Sequence, residues 1–120
     1  MRLLLIRHGE SEHSPRGIIA GHASCPGLTA RGFEQARVLA DRLRATGEVS
    51  DCSVLLSSTM LRAWKTAAVL ESELGVGPVE QDCGLCELHP GDADGLAWDV
   101  YRQAYGTFDL IEEKYLAAAG

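Results

Sequence analysis

Four apolar residues, Leu3-Leu4-Leu5-Ile6, run without a spacer into Arg7-His8-Gly9-Glu10. The run is too short for a helix, far short of the ~20 residues that span a bilayer, and unlike the apolar region of a signal peptide. It predicts a parallel strand over 2–6, buried on both faces, with polar residues emerging at its carboxyl end. That expectation constrains the rest of the chain, because a strand apolar on both faces needs parallel neighbours on both sides and helices above and below.

The order of elements agrees. Residues 11–28 carry Pro15, Gly17, Gly21, Pro26 and Gly27 among Ser and His, and read as one long irregular loop of the kind that usually serves function. Thr29 can cap a helix over about 30–45, in which Phe33, Ala36, Ala40 and Leu43 recur at helical spacing opposite Glu34, Arg37, Asp41 and Arg44, with Gly47 as the stop. Val54-Leu55-Leu56 forms a second apolar run; Ser57, Ser58 and Thr59 offer caps for a helix running to Leu74 and ended by Gly75. A third, weaker strand is expected at Val79–Gln81, a loop over 83–95, and helices over about 96–105 and 108–118. Strand, loop and helix in alternation predict an α/β fold, a parallel-rich sheet with flanking helices in βαβ units.

At 120 residues, such a chain buries roughly two-thirds of its unfolded surface and can form one domain without disulfide or metal. Seventeen acidic against eleven basic residues give a net charge of −6, the wrong sign for non-specific binding to nucleic acid or an anionic membrane. An anionic ligand must then be held by local cations. No export signal precedes the first run, so a reducing cytoplasm is the expected compartment and Cys25, Cys52, Cys83 and Cys86 are expected as thiols. Cys83 and Cys86 form a C-x-x-C, but no second pair follows at zinc-binding spacing, and they read as incidental.

In open α/β sheets ligands bind beyond the carboxyl ends of the strands, which draws Arg7–Glu10 and Ser57–Arg62 to one crevice. Arg7 offers a planar, permanently charged donor. His8 offers an imidazole able to act as a nucleophile at neutral pH, and Gly9 permits close approach. Arg62, in the first turn of the second helix, stands where free N–H groups and the helix dipole also favour an anion. Taken singly these residues have ordinary alternatives: a histidine satisfied by a backbone carbonyl, an arginine in a surface ion pair.

Leu4-Leu5-Ile6-Arg7-His8-Gly9-Glu10-Ser11 resembles the R-H-G-E-S signature of the histidine phosphatase, or phosphoglycerate mutase-like, superfamily. Three further blocks follow in the family's order: Leu28 to Ala36, Ser57 to Ala67, and Leu85-Cys86-Glu87 with Gly91 and Gly95. The resemblance implies that His8 takes up a phosphoryl group from a small phosphomonoester, that Arg7 and Arg62 clamp its oxygens, and that Glu87 is the acid for the leaving oxygen and then the base for water. It also implies that Ser14 replaces an asparagine contacting phosphate and that Ala20 and Gly21 lend backbone groups to the substrate, with His22 beside them the best rim contact. It implies no metal and no cofactor. The partners expected are a small phosphorylated substrate or inorganic phosphate, with no nucleic acid and no membrane.

The sequence departs from the family pattern in lacking a second histidine after a late strand: His13, His22 and His89 all lie in loops. The chain therefore reads as the N-terminal part, residues 1–120, of a histidine phosphatase domain. If it stands alone, its open sheet edge predicts a homodimer, element exchange or aggregation. Residues 96–120 add only Arg102 and Lys114, which favours hydrolase over mutase; a non-catalytic phosphate-binding module is the competing class.

Overall fold

The computed structural model describes residues 1–12 and 16–106. Its ordered elements are α1 (Ala30–Thr46), β1 (Leu55–Ser57), α2 (Leu61–Leu74), β2 (Val79–Gln81), short 3₁₀ turns at Cys83–Leu85 and Gly91–Ala93, and α3 (Trp98–Tyr105). The helix expected at 108–118 lies outside the described residues.

Local chemistry sets the limits of α1 as the sequence predicts. The Thr29 hydroxyl accepts from the Gly32 N–H at 2.9 Å, satisfying one of the helix's free first-turn donors. At the other end Gly47, in the left-handed conformation, donates its N–H to the Leu43 carbonyl. The α1 face carrying Ala36, Ala40 and Leu43 is buried, and α1 packs against α2, which buries Arg62, Thr66, Ala67 and Leu70. The start of α2 differs from expectation: its cap is Met60, whose side chain cannot cap, and the nearby hydroxyl of Ser58 accepts only the Met60 N–H at 3.3 Å.

β1 and β2 pair in parallel, with Leu55 opposite Val79, Leu56 opposite Glu80 and Ser57 opposite Gln81, joined through α2 as a βαβ unit. A second small core, Ile19, Ala93 and Tyr101 with Leu88, Leu96 and Trp98 packed on it, ties the long first loop to the C-terminal part. There Ile18 bridges Ala97, and Trp98 packs on the core.

The strand expected over 2–6 is the main correction. These residues pair with no strand among those described, and Leu3 and Leu5 are 71% and 85% exposed. The reason lies at the two ends of the segment. Arg2 donates to the Glu48 carbonyl and the Asp51 carboxylate, past the C-terminus of α1, while Gly9 packs against Gly32 in its first turn. The 17 residues of α1 measure about 25 Å, a distance that seven nearly extended residues can just cover. The segment is thus anchored near both ends of α1, with no sheet ladder among the described residues.

Candidate active site

The approach of Arg7–Glu10 to the helices rests on two glycines. A Cβ on Gly9 would stand 2.5 Å from the Gly32 carbonyl oxygen, and one on Gly32 would stand 2.1 Å from the Glu10 carbonyl oxygen, distances that no larger residue tolerates. Gly9 therefore serves a backbone approach. The freed backbone groups find helix side chains: the Gly9 N–H donates to Thr66 Oγ1 at 3.1 Å and the Glu10 N–H to Gln35 Oε1 at 2.8 Å. Beneath this segment lies a cavity of about 320 Å³ lined by Arg7, His8, Gly9, Gln35, Ala36, Leu39 and Thr66.

His8 is half-buried, and its Nδ1 lies 2.7 Å from its neighbour Gly9's carbonyl oxygen. A carbonyl can only accept, so Nδ1 carries the proton and the lone pair resides on Nε2. No partner for Nε2 occurs among the described residues. The carbonyl contact of an ordinary structural histidine is thus present, and it leaves the Nε2 lone pair without a partner among the described residues.

Thr66 joins this segment to Arg62. Its hydroxyl donates to the Arg62 carbonyl at 2.8 Å, the i−4 bond open to a threonine within a helix, while accepting from Gly9. The Arg62 side chain is 5% exposed; Nη1 donates to the Ala20 carbonyl at 2.9 Å and contacts Cys25 Sγ at 3.6 Å. Among the described residues neither Arg7 nor Arg62 forms an ion pair with a carboxylate. For a buried guanidinium in so acidic a chain this is unusual, since a buried charge is normally paired.

The loop expected to meet substrate is organised by a residue that sequence reasoning missed. Asp94 accepts from the Gly21 and Ala23 N–H groups at 2.9 Å, from the Ser24 N–H at 3.2 Å and from the Ser24 hydroxyl. Burial pushes its carboxyl up, but the Ser24 hydroxyl and then the backbone donors outweigh this, so its pKa lies below the ordinary value. Ala20 and Gly21 are buried, and a side chain on Gly21 would meet Asp94 and Pro90 at 2.6 Å. Only the spacing of Gly91 and Gly95 around Asp94 hinted at this clamp.

The remaining predicted residues are dispersed. Glu87 is exposed, just beyond the Cys83–Leu85 turn. His22 is exposed, with Nε2 2.6 Å from Thr59 Oγ1. Ser14, with His13, lies outside the described residues. The cavity lining includes Arg7 and His8 but not Arg62, Glu87 or His22. Around Thr59 the loops bring Cys86 to 3.4 Å. Burial pushes the Cys86 thiol up, but hydrogen bonding to the Thr59 side chain and backbone, Cys83 and Ser58 more than offsets it, leaving the thiol below its ordinary value.

A parallel βαβ unit, an Arg-His-Gly-Glu segment docked on two helices and a buried arginine at the head of the second define one class of protein. Residues 3–115 match the histidine phosphatase superfamily (branch 1), and the chain belongs to it. It is 37% identical over 106 residues to the 2,3-bisphosphoglycerate-dependent phosphoglycerate mutase of Parvibaculum lavamentivorans, covering 87% of this chain and 49% of that protein. Among solved structures it resembles the alpha-ribazole phosphatase from Shigella flexneri (TM-score 0.66, 35% identity, 82% of this chain and 46% of that one). It also resembles a mycobacterial glucosyl-3-phosphoglycerate phosphatase solved with VO3 (TM-score 0.66, 28% identity, 82% and 44%). The chain spans about half the length of the curated relatives it matches. No helix among the described residues is long and apolar enough to cross a membrane.

Proposed function

We propose that this chain carries the nucleophile-bearing half of a phosphomonoester hydrolase working through a phosphohistidine at His8. The observation that carries this reading is the buried Arg62 guanidinium, without a carboxylate partner among the described residues, coupled through Thr66 to the backbone beside His8. An anionic phosphoryl group is the natural counterion for such a charge. Net charge of −6 makes this local cation the more selective.

In the first step the Nε2 lone pair of His8 attacks phosphorus, an N–P bond forms and the ester P–O bond breaks. The departing oxygen takes a proton from the Glu87 carboxyl. Water then attacks phosphorus, gives its proton to the Glu87 carboxylate, and the N–P bond breaks to release orthophosphate with imidazole restored. Arg7 and Arg62 stabilise the charge on the equatorial oxygens, the dominant contribution in phosphoryl transfer. Ser14 contacts the phosphoryl group, and Ala20, Gly21 and His22 contact the rest of the substrate. Whole relatives named as phosphatases support hydrolysis; the mutase name of the Parvibaculum protein supports the alternative in which an alcohol, not water, accepts the phosphoryl group.

The test is p-nitrophenyl phosphate turnover by the chain and by His8→Ala, with quenching to trap an acid-labile, alkali-stable phosphoryl group. Loss of about 1,000-fold or more in His8→Ala, together with label on His8, is expected. Turnover that is absent in the unmodified chain, or indifferent to His8, refutes the reading and leaves phosphate binding as the alternative. Added phosphoglycerate separates water from an alcohol as acceptor.

A further inference from the structure

Beside this site two loops bring together soft ligand atoms, of which the phosphatase reading uses only His22, as a rim contact to substrate. The donor atoms of His22, Cys83 and Cys86 lie within 4.8 Å of one another. Cys83 and Cys86 Sγ are 3.8 Å apart, and Cys86 Sγ is 3.9 Å from His22 Nε2. A fourth donor stands next to them: His89 Nε2 is 2.9 Å from Cys83 Sγ, and its ring stacks on that of His22 with centroids 5.9 Å apart. We infer that Cys83, Cys86, His22 and His89 form a binding site for a borderline-soft divalent cation, Zn²⁺ above all.

The distances fit the metal's own geometry. A tetrahedral Zn²⁺ with Zn–S of about 2.3 Å and Zn–N of about 2.0–2.1 Å holds its two sulfurs about 3.8 Å apart and sulfur about 3.5 Å from nitrogen. The sulfur pair already has that separation, while the His22 nitrogen, 3.9 Å from Cys86 Sγ and within 4.8 Å of Cys83 Sγ, must move inward to close the site. His89, close to Cys83 but outside the group of mutually close donors, must draw back from Cys83 by about 0.6 Å and swing toward Cys86 and His22, a rotation open to an exposed side chain. Two thiolates neutralise the dication. Thr59 Oγ1, 2.6 Å from His22 Nε2 and 3.4 Å from Cys86 Sγ, can turn its hydroxyl onto the coordinated sulfur when the imidazole takes the metal. The Cys83-x-x-Cys86 pair, incidental by sequence spacing, finds its partner in His22 from a loop sixty residues away. Bound metal would cross-link the segment bearing Glu87 to the loop bearing Gly21.

The experiment uses the full chain, reduced and stripped of metal, titrated with Zn²⁺ against a chromophoric chelator and with Co²⁺ as a spectroscopic probe. One ion per chain is expected, with a thiolate-to-cobalt charge-transfer band and the strong visible bands of tetrahedral coordination. Loss of an outer hydrogen-bond partner alone lowers metal affinity by about 10–100-fold, so Cys83→Ser and Cys86→Ser should each weaken Zn²⁺ by about 100-fold or more, and His22→Ala and His89→Ala by about 10-fold or more. Cys52→Ser should leave it unchanged. In the unmodified chain Zn²⁺ should protect Cys83 and Cys86, and not Cys52, from alkylation, a readout that needs no variant to fold. Absence of stoichiometric uptake, formation of a Cys83–Cys86 disulfide in a glutathione buffer with no Zn²⁺ uptake, or undiminished affinity in any of the four ligand variants would overturn the assignment. None of these outcomes depends on turnover at His8.

Discussion

Two segments without regular structure carry the residues of interest, and they are held by different physics. Arg7–Glu10 is locked by shape: glycine against glycine, with its N–H groups donating to the neutral side chains of Thr66 and Gln35. Gly21–Ser24 is gathered around one ionisable group, the Asp94 carboxylate. The Glu10 carboxylate adds a hydrogen bond from Thr29 Oγ1 and an ion pair with Arg31, but the backbone anchors of the first arrangement carry no charge. The second depends on a negative charge, so the 21–24 loop can loosen in acid that leaves the backbone anchors of the 7–10 segment in place.

The most severe way to break the first segment is Gly32→Ala. The new Cβ meets the Glu10 carbonyl at 2.1 Å with backbone on both sides, and overpacking of this kind should cost about 3 kcal/mol. Urea unfolding measures it. A loss under about 0.5 kcal/mol would mean that Arg7–Glu10 lifts off freely and that its docking on α1 is not what holds it.

Asp94→Asn strikes the second segment. It keeps the shape but loses charge-assisted acceptance from three N–H groups and a hydroxyl, a loss of about 1–3 kcal/mol at neutral pH. The direction with pH follows from linkage. Because folding lowers the Asp94 pKa, its contribution is fully present above the unfolded value and is lost as pH falls through the folded value. Stability of the unmodified chain should therefore drop below the ordinary carboxylate range, and the variant should lack that part of the drop. Identical acid profiles would remove Asp94 from its role.

A smaller effect sharpens the contrast. Thr66→Val deletes the acceptor for the Gly9 N–H while preserving branching at Cβ, and should cost about 1 kcal/mol. Unlike Asp94→Asn, it should cost the same at pH 7 as in mild acid. A cost that changes with pH would couple this hydrogen bond to a titrating neighbour.

Both helices flanking the site were legible from residues within one turn of their ends. Thr29, Gly47 and Gly75 act through local hydrogen bonds, and the apolar spacing of Ala36, Ala40 and Leu43 selects the buried face whatever lies opposite. Membership of the superfamily was legible because the blocks bearing His8 and Arg62 keep its order. The Asp94 clamp was not: its partners lie about seventy residues back in the chain, and an aspartate between glycines looks like any turn residue.

The sequence by itself determined the alternation of β1, α2 and β2, the limits of α1 and the tautomer-setting neighbour of His8, because each depends on groups close along the chain. Only the tertiary structure decided that Leu3–Ile6 joins no ladder among the described residues, that Arg62 is buried without a described carboxylate partner, and that His22 meets Cys83 and Cys86. Strand pairing, charge burial and metal-ligand geometry depend on which distant segment returns to a given place. An apolar run or a C-x-x-C specifies what it can bind, while the path of the rest of the chain selects what it does bind.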